Sequence, residues 1–350
     1  MGDTAAVVLT VNGRVSSAHV APGPAAKGLE AGLLAEADGG SDLLGAVVGT
    51  RSDPFVALHD ALAADPVLIR IPRGVVVTDP IVVVHWIDGD GAAVFPRTVV
   101  VAEEESEATV LQIVGSPDDV TTLSVPVTEV SVGPAARLRT MEMQELGAAA
   151  WQLGSYFARV GRDASLDSSA VALGAHYARL RLDVELAEKG AEADLIAVYF
   201  GEGDQMHDFR TLQDHSAPRT RSDLLFKGAV EDRARSVYSG LIKVRPDAPG
   251  TSAFQTNRNI KLSPDAWAES VPNLEIENND VRCSHASAVG PVDEDQRYYL
   301  ESRGIPPETA ERLIVLGFFD EVIAQLPVAG LQASLRAAVA EKFARRGAGR

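Results

Sequence analysis

A small residue that opens an apolar strand returns along this chain at a nearly constant interval, and that return limits the fold most. Ala108 (Ala-Thr-Val), Ala136 (Ala-Arg-Leu), Ala164 (Ala-Ser-Leu) and Ala193 (Ala-Asp-Leu) lie 28, 28 and 29 residues apart. Ser222 continues the series after 29 residues and Ala253 after 31. Gly133, Gly161 and Gly190 each stand three positions before a member. A period in this range marks stacked units, each of which buries its apolar side only against its neighbours. About 28 residues, at ~3.3 Å per strand residue, suit one turn of a parallel β-helix with two or three strands. Between Val67 and Cys283 there is room for about eight such coils stacked ~4.8 Å apart.

Local patterns agree with the period. Leu180, Leu182, Val184 and Leu186 alternate without a break, as a half-buried strand requires. Leu138, Met141 and Met143 stand among polar neighbours, and Gly, Pro, Asp and Asn separate the runs. No amphipathic helix interrupts this stretch, which excludes a doubly wound α/β fold. The expected class is therefore mainly β: a parallel β-helix over residues 67–290, after a small N-terminal α/β segment (1–66). In that segment Ala6–Val11 reads as a strand and Leu29–Ala37 as a helix. Asp53 caps a second helix with Pro54 in its first turn and Phe55, Leu58 and Leu62 on one face.

Residues 291–350 turn helical. Asp293 caps a helix through Glu301 that Gly304 closes, and Pro306-Pro307 opens the next, with Ala310, Leu313, Ile314, Gly317 and Phe318 on one face. A third carries Leu331, Leu335, Ala338, Val339 and Phe343, and ends in basic Lys342, Arg345, Arg346 and Arg350. Such helices close the solenoid, offer a docking stripe, or do both.

Composition removes whole classes of function. The formal net charge of −17 argues against nucleic acid and against an anionic membrane surface. A single cysteine, Cys283, forms no internal disulfide, and with no secretory signal in view the chain reads as cytoplasmic. There is no GxxxxGK[ST], HExxH, CxxC or GxSxG, and Gly201-Glu-Gly203 fails the third glycine of a dinucleotide loop. What remains is Val281-Arg282-Cys283-Ser284-His285. In extended chain Cys283 and His285 share a face, placing a soft thiolate donor beside a borderline imidazole, a pair suited to iron or copper. Arg282 and a protonated His285 would favour the thiolate. The competing reading is a buried cysteine beside an ordinary histidine. His207 and His215 also share a strand face, but eight residues span ~26 Å if straight, so they cannot share a metal without a bend and read as solvated or hydrogen-bonded strand histidines. His19, His59, His85 and His176 stand alone and read the same way, and Glu103-Glu104-Glu105 with Glu107 reads as a solvated turn.

From Asp214 to Phe319 the chain resembles the SufB/SufD family of iron–sulfur cluster assembly proteins. The resemblance rests on His215-x-x-Pro218-x-Thr220-x-Ser222, Phe226-Lys227-Gly228, Val237-Tyr238-Ser239-Gly240 and Val271-Pro272-Asn273-Leu274-Glu275-Ile276. It continues through Asn279-Asp280-Val281-x-Cys283-Ser284-His285, Val289-Gly290 and Tyr298-Tyr299-Leu300-Glu301-Ser302-Arg303-Gly304-Ile305, with a weaker match over Phe55–Gly74. The Cys-Ser-His triplet and the lack of a further core cysteine are similar to SufD rather than SufB. The resemblance implies a non-enzymatic scaffold subunit that pairs with a SufB-like β-helix and docks a SufC-like ABC ATPase through its C-terminal helices. It implies His285 and Cys283 as metal contacts at the SufB interface, for transient iron or an iron–sulfur cluster and no permanent cofactor, with a homodimer as a further possibility. Readings from other classes are a stand-alone β-helix enzyme acting on acidic polysaccharide and a homo-oligomeric binding module.

Overall fold

The structure, a computed structural model, describes residues 4–48 and 53–348. Residues 67–291 wind into eight coils, each contributing one strand to each of two facing sheets. The first sheet takes Ile81–Trp86, Glu107–Gly115, Arg137–Glu145, Ser165–Ala172, Glu192–Gly201, Arg221–Val230, Thr251–Lys261 and Val281–Pro291. The second takes Val67–Ile71, Arg97–Ala102, Val127–Val132, Trp151–Val160, Tyr177–Leu186, Met206–His215, Arg235–Val244 and Trp267–Ile276. Pairing between successive coils is parallel throughout. Period two then sends alternate residues inward: Ala193, Leu195, Ala197 and Tyr199 from the first sheet meet Leu180, Leu182, Val184 and Leu186 from the second.

The repeat is real, but its register differs from the one that small residues suggest. Along the first sheet the stacked column is Ala108, Leu138, Leu166, Ala193, Ser222, Ala253 and Cys283, so the coils hold 30, 28, 27, 29, 31 and 30 residues. Ala136 and Ala164 belong to a parallel column two residues earlier, which Ala191 and Thr220 continue. Both columns face inward near the start of each strand and carry small side chains in most coils, so two in-phase series merge in the sequence. The glycines divide the same way. A Cβ on Gly161 would lie 2.9 Å from the Val132 carbonyl oxygen of the coil beneath, whereas Gly190 is needed for its φ of +75°.

The outer faces are covered by the two ends of the chain. Over the second sheet lies a helix, Pro54–Leu62, whose capping Asp53 accepts from Phe55 N and Val56 N at 3.0 Å. It buries Val56 and His59 while Leu58 and Leu62 stay exposed, the reverse of the sequence expectation. The reason is Arg97, buried in the sheet, which His59 and Asp60 meet. Glu30–Leu33 is a strand followed by a 3-10 turn, not a helix, because it pairs antiparallel with Val67–Ile71.

Over the first sheet lie Glu294–Ser302, capped by Asp293, then Pro307–Ile323 and Ala329–Ala348. The middle helix buries Ala310, Val315, Phe319, Val322 and Ile323, a face rotated from the expected one, and Leu313 is exposed. Leu335, Val339 and Phe343 pack as the spacing predicts, and Met141 and Met143 lie beneath these helices. Lys342, read from the sequence as part of a basic helix end, is buried and donates to Glu202 at 3.0 Å. The side chains of Arg345, Arg346 and Arg350 lie outside the described residues.

Candidate functional site

The two sheets end on unequal terms. At the low-numbered end, Arg14–Val20 folds back on Ala6–Val11, and Glu30–Leu33 closes the second sheet, so Ile69, Ile81 and Val83 are fully buried. At the other end, Trp267–Ile276 and Val281–Pro291 are the last strands of their sheets, each hydrogen-bonded on one side. Leu274 and Ile276 continue the inward columns of Ile242 and Val244, yet each is 38% exposed. The solenoid interior is open here.

Cys283 and His285 sit on that opening. Cys283 continues the column of Ala253 and packs, half-buried, against the cluster of Ile242, Val244, Ala248 and Ala253. His285, two residues on, shares this inward face and is exposed. Arg282 points to the opposite face. Contrary to the sequence expectation of an easily formed thiolate, burial pushes the Cys283 thiol above its ordinary range. Among the described residues, no three His, Cys, Asp or Glu side chains converge to hold a metal. The chain offers one sulfur and one nitrogen, so a full coordination sphere needs donors from elsewhere.

Four of the other six histidines are buried and hydrogen-bonded within the fold. His215 bonds to the Thr220 hydroxyl at 2.8 Å and the Ser222 hydroxyl at 2.9 Å. His85 lies between Thr10 and Thr98, His207 reaches the Gly174 carbonyl, and His59 the Pro96 carbonyl. Burial pushes all four down to about 4, so they are neutral hydrogen-bonding groups at pH 7. His19 and His176 are exposed.

Two features escaped sequence reasoning. Lys227 is buried beneath the middle C-terminal helix, donating to the Phe318 carbonyl at 2.8 Å and pairing with Glu321. It forms the floor of a groove of about 1170 Å³ between that helix and the last strands, walled by Arg258, Tyr299, Leu300 and Leu313. Its long separation from Glu321 hides this contact in the sequence. The open end itself had a signal in Pro272, since a proline donates nothing to a ladder and belongs on an edge strand.

Comparison with known proteins bears on this geometry. The family model for the SUF system FeS cluster assembly SufBD core domain matches residues 85–318. A SufBD family protein of Mycobacterium tuberculosis is 35% identical over 302 residues, covering 83% of this chain and 74% of its own. The iron-sulfur cluster assembly protein SufD of Bacillus subtilis is 30% identical, covering 82% of this chain and 66% of its own. SufD of Escherichia coli is 27% identical over 84% of this chain and 70% of its own.

Proposed function

The chain belongs to the SufBD family of the SUF iron–sulfur cluster assembly system, and from that premise we propose that it is a SufD-like scaffold subunit. It pairs through the open end of its solenoid with a SufB-like subunit and docks a SufC-like ATPase on its C-terminal helices. Iron or a nascent cluster is cargo at the junction, not a resident cofactor. The observation that carries this reading is the open end, where two long strand edges and two continued inward columns are left uncovered beside Cys283 and His285. A bare edge of ten or eleven residues invites another chain to extend the sheet, as folded proteins otherwise avoid.

The chemistry fits a shared site. A thiolate favours soft metals and an imidazole suits iron, but two donors leave an iron ion undersupplied, so the partner completes the sphere. Closure of the junction by the partner also removes water, which strengthens every contact to a charged cargo. The exposed Tyr298, Tyr299 and Leu313 on the C-terminal helices support the ATPase surface. Among the described residues no helix is long and apolar enough to cross a membrane, and a lone thiol at a working site suits the reducing cytoplasm.

Co-expression with SufB- and SufC-like chains from the same source, followed by size exclusion with mass determination, tests the reading. A complex with one copy of this chain, one SufB-like chain and ATPase subunits is expected. Elution of this chain as a homodimer, apart from the other two, would refute it. Within the complex, His285→Ala is expected to lower cluster formation and leave assembly intact; unchanged yield would remove His285 from the site.

A further inference from the structure

One buried side chain beneath the open end has no structural task. Gln255 stands in the strand next to the last, directly under His285 in the parallel register and under the same inward face. It is 1% exposed, and neither Oε1 nor Nε2 has a hydrogen-bond partner among the described residues. An unpaired buried amide is costly, and native folds rarely keep one without a use. Space for it is maintained from across the interior. The facing Gly240 carries no side chain, and a Cβ there would lie 2.5 Å from the Gln255 amide nitrogen. The neighbouring inward residues do find partners: Asn257 donates to the Tyr199 hydroxyl at 3.0 Å, and Asn259 donates to Asn257 Oδ1 at 2.8 Å. Gln255 is the member of this polar column nearest Cys283 and His285, and it is the one left open.

We propose that Gln255 is a positioning residue for His285, accepting the inner ring N–H on its Oε1 so that the outer nitrogen presents its lone pair to the metal cargo. This rests on the reading of the open end as a metal-handling junction. The physical need is definite. A neutral imidazole ligates through one nitrogen only, and the tautomer is fixed by whatever accepts the proton on the other. His285 makes no side-chain hydrogen bond among the described residues, and Gln255 is the buried unpaired amide directly beneath it in register. Cys283 lies over Ala253, whose side chain has no polar group, so the device serves the histidine.

The test uses the full chain and its complex with the SufB-like partner, under anaerobic conditions, with ferrous iron for affinity and cadmium for nuclear magnetic resonance. Gln255→Leu is expected to weaken iron binding by the complex roughly 10- to 100-fold, the usual effect of removing a group that orients a ligand. The 15N shifts of the His285 ring are expected to show a single tautomer with cadmium in the wild type and a mixture in the variant. Gln255→Glu, which keeps an acceptor at the same reach, should retain both properties, and Gln255→Asn, one methylene shorter, should lose them. These two variants decide the matter if the leucine variant does not fold. Wild-type affinity and an unchanged tautomer in Gln255→Asn, and in Gln255→Leu where it folds, with His285→Ala still impaired, would overturn the positioning role and leave the junction standing. Unchanged iron binding in His285→Ala would overturn both.

Discussion

The two ends of the solenoid are made from the same repeat and finished in opposite ways. At the low-numbered end the terminal edges are short, seven residues in Arg14–Val20 and four in Glu30–Leu33, both antiparallel to the strands they cover. A buried ion pair then pins the preceding segment. Arg97 Nε donates to Glu129 Oε1 at 3.1 Å, and the same carboxylate accepts from the amides of Gly45, Val47 and Val48. At the high-numbered end the last strand of each sheet runs parallel to its neighbour, and the edges stay long. A reversal of strand direction ends a stack, because it offers no further in-phase coil. A parallel edge leaves it extendable. One end is built for closure and the other for addition.

The comparison breaks most severely at Glu129. Glu129→Ala leaves Arg97 buried with only the half-exposed Asp60 and His59 beside it, and orphans the amides of the N-terminal segment. A loss of about 3–5 kcal/mol is expected in urea unfolding of the isolated chain, since stranding one member of a buried pair is costly. A loss below about 1 kcal/mol would show that the clamp does not hold that end.

Acid tests the closed interior next. His59, His85, His207 and His215 have ordinary values of 6.5 and values near 4 in the fold, so between these limits the unfolded chain takes up protons that the fold refuses. Stability is therefore complete above pH 6.5 and falls as pH drops toward 4. Glu142, which burial pushes from 4.5 to about 7, works the other way and loses stability as pH rises through that range. Burial raises Glu145, Asp167 and Asp223 as well, while Asp53 and Glu321 are lowered; the four large histidine shifts decide the sign, and thermal midpoints should drop steadily between pH 6.5 and 4. A midpoint flat across that window would contradict the buried histidine network.

The smallest effect on the isolated chain is expected at the open end. Leu274→Asp with Ile276→Asp should change its unfolding free energy by no more than about 0.5 kcal/mol each, because both side chains already meet solvent. The same pair should abolish association with the SufB-like partner in size exclusion. A large loss of stability with association retained would invert the comparison, making this end a true cap.

Much of this was legible beforehand because a coil is a local object. Leu180–Leu186 alternates since its strand has one interior face, Asp53 and Asp293 cap since a helix start needs an acceptor within three residues, and the interval near 28 follows from the circumference of a coil. The Cys283–His285 pair is legible for the same reason, being two residues apart on one strand. Failures came where distant segments compete. Period alone could not separate two small-residue columns two positions apart, so Ala136 and Ala164 were set in register with Ala108 and Ala193. The helix over the second sheet turned its His59 face inward because Arg97, far along the chain, required a partner there. Within Leu29–Ala37, Glu30–Leu33 is a strand instead of a helix because an edge needed covering.

The sequence by itself determined the class of fold, the number of coils and the residues that share a strand face, because hydrophobic period and turn chemistry act over a few residues. Only the tertiary structure decided which end stays open, that Gln255 lies unpaired beneath His285, and that Lys227 and Lys342 fasten the C-terminal helices. These depend on stacking register and on contacts across a hundred residues or so, where each side chain's partner is set by how the coils add up.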